Sequence, residues 1–433
     1  MTHFGLICPA STGHLNTILP LGRELQRRGH VVTLVGKRDA ESKTQSAGLA
    51  FRSVGEAEFP LGAMAESLTQ LGQLSDRKAL KYTVNLLSKS ANVLLRDAPA
   101  VLKEIGVDAL LVDQVSSEGG TVADYLGLPF ISICSAIALN REQNIPPYVT
   151  SWKYSPTRWG RFRNRLGYKA FDRVVKPITT IINDYRQLRG LPAIANSNER
   201  YSRLAQICQQ PAELEFPREA LPPCFHFTGP YYTPIDREIP EFPYNQLTGK
   251  PLIYAFLGTI QNRLIGVFQQ IAEACHDLDI QLIISLGGSA KPGALPVLAG
   301  FPLVVEYAPQ LDLLKKAALA ITHGGMNTVL ECLSNGVPIV AIPIANDQPG
   351  IASRVVWAGC GEAIPIKRIS VTKLQTAIFK VLEDATYKEN AVKLQSAIHR
   401  AGGVKRAIDI VEQVIATRQP VLVEGWSIHR FGN

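Results

Sequence analysis

Short apolar runs alternate with helix-period patterns twice along the chain, and that rhythm restricts the fold more than any other feature. In the first half, residues 4–8, 31–35, 109–112 and 130–134 read as buried strands, separated by helical stretches such as 15–28 and 79–103. Strands that alternate with helices are parallel and joined by crossovers, which makes a doubly wound α/β domain. Between 216 and 251 the periodicity stops and eight prolines appear among aromatic and acidic residues, as in a linker. Alternation restarts with strands at 252–257, 281–286, 303–306, 319–322, 338–342 and 362–366, and helical patterns at 371–382, 387–400 and 404–417 close the chain. The expected fold class is α/β, with two doubly wound, Rossmann-like domains facing a central cleft. Their expected limits are 1–230 for the first domain, 231–250 for the linker, and 251–433 for the second domain with its closing helices. A length of 433 residues suits two domains of roughly 100–200 residues each. Ligands of such sheets bind outside the carboxyl ends of the strands, so the residues that follow each strand matter most.

Charge is concentrated in one place. The net charge is +8, yet segment 152–176 alone holds Lys153, Arg158, Arg161, Arg163, Arg165, Lys169, Arg173 and Lys176 against Asp172. Trp152, Tyr154, Trp159, Phe162, Tyr168 and Phe171 lie in the same segment, and Trp159, Phe162, Leu166, Ala170 and Val174 fall on one helical face. Two readings stand: an amphipathic helix that rests on anionic lipid, or a cationic helix packed on the core by that stripe. Aromatics at helical spacing look like packing rather than a base-stacking surface, so no nucleic-acid partner is expected. The seven cysteines are scattered and form no C-x-x-C pair, which argues against a disulfide scaffold or a zinc site. No apolar run approaches the roughly 18 residues of a membrane span, and the start lacks a basic leader. A cytoplasmic protein is expected.

Candidate chemistry follows three strands. After 319–322 comes His323-Gly324-Gly325-Met326-Asn327-Thr328, opening a helix. A Gly pair at a helix N-terminus lets an anion reach backbone N–H groups, and the helix dipole favours negative charge there. His323, Asn327 and Thr328 add donors suited to a diphosphate, and Glu331, on the same face, suits a ribose diol. After 338–342 the loop carries Asp347 and Gln348, a carboxylate beside an amide that together match sugar hydroxyls; an Asp N-cap is the plain alternative. In the first half, strand 4–8 leads to Gly13-His14 at a helix start, where imidazolium is disfavoured and a general base is suited. Strand 109–112 ends at Asp113, at a carboxyl end on the same side, where it would hold one ring nitrogen of His14. Asp277-Leu278-Asp279 resembles a metal-binding pair but precedes strand 281–286, at the wrong end. No G-x-G-x-x-G occurs, and His30 and His276 fall in helix-to-strand loops, read as surface residues.

The stretch Tyr307-Ala308-Pro309-Gln310, then Thr322 through Thr328, Glu331, Gly336-Val337-Pro338 and Asp347-Gln348 resembles the nucleotide-sugar signature of the family 1 glycosyltransferases, which have the GT-B fold. Gly13-His14 and Val112-Asp113 match the positions of that family's catalytic His and Asp. Within the family, the chain resembles the bacterial zeaxanthin glucosyltransferases through Leu139-Asn140-Arg141-Glu142, Phe225-His226, Leu257-Gly258-Thr259 and Ala401-Gly402-Gly403. The resemblance implies that Tyr307 stacks on uracil where plant members have a Trp, with Ala308 in the same motif, and that Gln310 contacts the nucleoside and Glu331 the ribose. It implies that His323, Gly325, Asn327 and Thr328 bind the diphosphate, that Thr259 closes over it, and that Asp347 and Gln348 hold the hexose. A Gln at the last of these goes with glucose in related enzymes, which makes UDP-glucose the expected donor.

The resemblance further implies an inverting, metal-independent hexosyl transfer in which His14 deprotonates an acceptor hydroxyl, with UDP-sugar as co-substrate and no cofactor. The acceptor implied is a lipophilic small molecule, a hydroxycarotenoid such as zeaxanthin; flavonoid or phenolic alcohols are the alternative. A UDP-sugar epimerase of the same fold and a non-catalytic binding protein are the rival classes, the second disfavoured by the presence of both His14 and Asp113.

Overall fold

The computed structural model describes residues 1–72, 74, 76–232, 240–258, 265–288 and 291–423. The first part of the chain supplies β1 (His3–Ile7), β2 (Val31–Gly36), β3 (Ala50–Ser53), β4 (Ala109–Asp113), β5 (Phe130–Cys134), β6 (Gln206–Cys208) and β7 (Phe225–Phe227). The second supplies β8 (Leu252–Phe256), β9 (Gln281–Ser285), β10 (Leu303–Val305), β11 (Ala317–Thr322), β12 (Ile339–Ala341) and β13 (Gly361–Ala363). Among the described residues these form a seven-stranded sheet ordered β3-β2-β1-β4-β5-β6-β7 and a six-stranded sheet ordered β10-β9-β8-β11-β12-β13. Every ladder is parallel. The two-domain α/β expectation therefore holds, and all but three strands fall where the apolar runs put them. The exceptions, β3, β6 and β7, are short and interrupted by Arg52, Gln206 and His226, so no apolar run marks them.

Strand order reverses between β1 and β4 in one sheet and between β8 and β11 in the other, the switch points where ligands of such sheets bind. Register aligns Ile7 with Val112 and Phe256 with Thr322, which brings the loop after β1 beside Asp113 and the loop after β8 beside His323. The central strands are apolar throughout because helices cover both faces: Phe4, Leu6, Leu110 and Leu111 are fully buried, as are Ile253, Ile283 and Ile321. The last helix, Gly403–Thr417, returns to the first sheet and inserts Ile408, Val411 and Val414 into its core. Arg28 Nη1 fixes that return by pairing with Asp409 and Glu412, both at 2.6 Å. His30, expected on the surface, instead lies edge-on to Phe4 and 3.1 Å from Glu412. Asp279, of the acidic pair before β9, is 2.7 Å from Lys250 at the end of the sheet away from the cleft.

Among the contacts that join the halves are two beside the cleft. Arg354, only 1% exposed, places Nη2 2.6 Å from Glu215 Oε1 and lies 4.3 Å over the Phe216 ring. Burial works against the Glu215 charge, but Arg218 and Arg354 outweigh it and hold the carboxyl below its ordinary range. Gly350 meets the backbone of Tyr148 so closely that a Cβ there would be 2.3 Å from the Tyr148 carbonyl oxygen.

The basic, aromatic segment forms the start of helix Arg158–Leu188, capped by Thr157, whose Oγ1 accepts from Gly160 N at 3.1 Å. Its buried face is Gly160, Asn164, Phe171, Ile178, Ile182 and Arg186. The stripe read as a packing face points outward: Trp159 is 72% exposed and Phe162 and Leu166 are each 51% exposed. Core packing by that stripe is thus ruled out for the first turns; small and polar residues, Gly160 and Asn164, let the opposite side approach the domain instead. Among the described residues no helix is long and apolar enough to cross a membrane.

Candidate functional site

Helix Thr12–Arg27 begins directly after β1, with Ser11 in extended conformation at its N-cap, and this puts His14 in the first turn at the cleft. Asp113 ends the neighbouring strand β4 and is fully buried. The pair is 99 residues apart in sequence and 2.7 Å apart in space, His14 Nδ1 to Asp113 Oδ2. Asp113 Oδ1 accepts from Val115 N at 2.8 Å, and Ser135 Oγ donates to Oδ2. A carboxylate can only accept, so a neutral His14 carries its proton on Nδ1, which leaves Nε2 as an acceptor. Burial pulls the His14 pKa down, but the charge and hydrogen bond of Asp113 and the charge of Asp347 outweigh it, so the net shift is upward.

Across the cleft, β11 ends at Thr322 and helix Met326–Ser334 opens after Gly324 and Gly325. Gly324 has φ 83°, a conformation that a side chain would strain. His323 lies between two glycines: a Cβ on Gly258 would come within 2.7 Å of its ring and one on Gly325 within 2.6 Å. Burial pushes the His323 pKa down to about 4, so the ring is a neutral donor near neutral pH. Thr328 is buried in the first turn of the same helix. Gln310 Nε2 donates to Glu331 Oε2, and Tyr254 hydroxyl donates to Gln310 Oε1 at 3.2 Å. Tyr307, half exposed, lies over Gly288, where a Cβ would strike its hydroxyl.

Asn346, at φ 56°, turns the chain after β12 into helix Gln348–Trp357. Asp347 occupies the N-cap position without making a cap hydrogen bond, so the plain capping alternative is not realised. Burial raises its carboxyl pKa, opposed by the nearby His14. Gln348 Oε1 accepts from the amides of Ile344 and Ala345 at 2.8 and 3.0 Å, which fixes the loop.

His14, Tyr307, Ala308, Gln310, His323, Gly325, Asn327, Thr328, Glu331, Asp347 and Gln348 all line one cavity of about 370 Å³. Asp113 stands behind His14 rather than on the wall, and Thr259 lies outside the described residues. Asn327 is engaged across the cleft: its Nδ2 donates to Gly13 O at 2.9 Å and its Oδ1 accepts from Gln209 Nε2 at 2.8 Å. Sequence reasoning missed Ser135 and Gln209. Ser135 directly follows β5, a strand the apolar pattern does reveal, so inspecting that strand end would have found it. Gln209 follows β6, whose three residues give no periodic signal.

A His–Asp pair in one sheet faces a glycine-flanked helix start and a carboxamide–carboxylate loop in the other, across the cleft of a GT-B glycosyltransferase architecture. Residues 6–416 match the family model described as UDP-glucoronosyl and UDP-glucosyl transferase, and the chain belongs to that family. It is 36% identical to a zeaxanthin glucosyltransferase of Pantoea ananas over 98% of both chains. To a zeaxanthin glucosyltransferase of Pseudescherichia vulneris it is 32% identical, over 97% of this chain and all of that one. Its fold matches the crystal structure of the calicheamicin glycosyltransferase CalG4 with a TM-score of 0.74 and 21% identity, covering 97% of this chain and 100% of that one.

Proposed function

We propose that this UDP-glycosyltransferase moves glucose from UDP-glucose to a hydroxyl of a lipophilic acceptor, a hydroxycarotenoid such as zeaxanthin, with inversion at the anomeric carbon. The observation that carries the reading is the His14–Asp113 pair, 2.7 Å apart, opening into the same cavity as the helix start at Gly325. His14 Nε2 takes the acceptor proton as the oxygen bonds to the anomeric carbon, and Asp113 stabilises the imidazolium. The bond from that carbon to the β-phosphate oxygen breaks, and its electron pair leaves with UDP. Backbone N–H groups at the start of Met326–Ser334, with His323 and Thr328, meet the growing charge, so the scheme needs no metal. Tyr307 stacks on the uracil, Gln310 and Glu331 hold the nucleoside and ribose, Asp347 and Gln348 hold the hexose, and Thr259 closes over the diphosphate. In this reading 1–230 binds acceptor, 251–433 binds donor except for its last helix, which packs on the first domain, and 231–250 links them.

The acceptor class is supported by the names of the two zeaxanthin glucosyltransferases above and by the outward stripe Trp159, Phe162 and Leu166. Arg158, Arg161, Arg165 and Lys169 flank that stripe and are exposed, a pattern suited to an anionic bilayer in which a carotenoid dissolves. Incubation with UDP-glucose and a panel of carotenoid, flavonoid and phenolic alcohols, followed by mass and proton NMR analysis, tests the reading. A β-glucoside of the carotenoid is expected. An α product sinks the single displacement, and glucosides of the phenols alone, or epimerised UDP-sugar without acceptor, move the assignment elsewhere. Vesicles containing phosphatidylglycerol should co-sediment the protein; binding unchanged after Trp159→Ser and Phe162→Ser refutes the membrane contact.

A further inference from the structure

We infer that Gln209 is a positioning residue, acting with Asn327 as a latch that fixes the catalytic base only when the two halves are closed. The inference rests on His14 being the base. Asn327 belongs to the donor-facing helix Met326–Ser334, yet both ends of its side chain are spent on the other sheet. Its Nδ2 donates to the carbonyl oxygen of Gly13, the residue before His14, at 2.9 Å. Its Oδ1 accepts from Gln209 Nε2 at 2.8 Å. Gln209, 3% exposed at the carboxyl end of β6, also donates to the Ser135 carbonyl oxygen and reaches Thr17 Oγ1 at 3.3 Å. Thr17 Oγ1 in turn donates to Gly13 O at 3.1 Å.

Two routes therefore run from Asn327 to the base. One passes directly through Gly13 into the backbone that carries His14. The other passes through Gln209 to Ser135, whose hydroxyl donates to Asp113 Oδ2, the oxygen that holds His14 Nδ1. Buried amides make such bonds only in a narrow geometry, and an unmade partner costs free energy, so the closed arrangement defines where Nε2 points. Misplacing a base by about 1 Å is enough to lower turnover by about a hundredfold. Asn327 also lies in the first turn of the phosphate-facing helix, so any shift of that helix on donor binding is felt at His14.

The test is Gln209→Met, which keeps length and removes the donor. We expect kcat to fall about tenfold while KM for UDP-glucose and the UDP Kd by calorimetry change less than twofold. In an Asn327→Ala background, adding Gln209→Met should lower kcat no further, because the route is already cut. A kcat within twofold of the parent, a loss that tracks only the fraction of protein able to bind UDP, or effects that multiply in the double variant would each overturn the latch. Should Gln209→Met not fold, Gln209→Leu, which also lacks the donor, carries the same comparison. His14→Ala is run alongside: if it is fully active, the base assignment fails, whereas an inactive His14→Ala with an active Gln209→Met removes the latch alone.

Discussion

Asp113→Asn is the sharpest perturbation of the proposed chemistry, because it leaves shape almost unchanged. In the parent, Oδ1 accepts from Val115 N at 2.8 Å and Oδ2 accepts from both Ser135 Oγ and His14 Nδ1. A carboxamide has one oxygen for these duties. With that oxygen toward Val115, the NH2 faces His14, whose Nδ1 must then accept; the ring proton moves to Nε2 and the base is lost. With the oxygen toward His14, the NH2 opposes the Val115 N–H, and a buried donor without an acceptor costs about 1–3 kcal/mol. Either way the carboxylate that stabilises the imidazolium is gone. A general base is worth about 10²–10⁴ in rate, so kcat should fall by about that much, or roughly 2.7–5.4 kcal/mol at about 1.36 kcal/mol per decade. UDP affinity, measured by calorimetry, should stay the same. The pH profile gives a second readout. His14 acts when neutral, so kcat/KM is lost as pH falls through its raised pKa. Removing the Asp113 charge removes a cause of that rise, and the acid limb of the residual activity should move to lower pH. His14→Ala combined with Asp113→Asn should be no slower than His14→Ala alone, since the two act as a unit. The reasoning fails if Asp113→Asn keeps more than a tenth of kcat, or if the two losses multiply.

Three further outcomes follow from the geometry. Gly258→Ala puts a Cβ about 2.7 Å from the His323 ring at a φ of 83°, so UDP binding by calorimetry should weaken at least tenfold with the fold retained; an unchanged Kd would remove His323 from the diphosphate site. Glu215→Gln leaves Arg354 buried beside an uncharged partner and should destabilise the protein by about 3 kcal/mol in urea unfolding, whereas a change under 1 kcal/mol would mean that Arg218 and Glu142 already carry the local balance. His323 has its pKa lowered to about 4, so the unfolded chain binds its proton first; this contribution to stability is complete above about 6.5 and is lost as pH falls toward 4, by roughly 3 kcal/mol at the limit. His323→Asn should flatten that part of the stability–pH curve, which denaturant melts at pH 7 and pH 5 would show.

What was legible in the sequence and what was not divides on one physical line. A strand buried on both faces must be apolar throughout, so β1, β4, β8 and β11 announce themselves, and the residue after each is found by counting; His14, Asp113 and His323 were reached that way. A helix start declares itself through Gly324 and Gly325, where a positive φ and a close approach to His323 exclude side chains. Short strands interrupted by polar residues carry less information. β6 is three residues long, and the amide that follows it, Gln209, looks like any polar loop residue until the second sheet is brought against the first. The same holds for Arg354 and Glu215, each ordinary in its own segment, which become a buried pair only across the cleft. The outward stripe shows the converse error. Trp159, Phe162 and Leu166 recur with helical period, and period alone does not tell which face meets the protein. The residues that settle it are Gly160 and Asn164, small and polar, because the domain approaches closely where side chains are short and where Asn164 Nδ2 finds the Gln143 carbonyl oxygen at 3.0 Å. Chemistry carried by single strand ends is therefore readable from one chain, and chemistry made by pairing two domains is not.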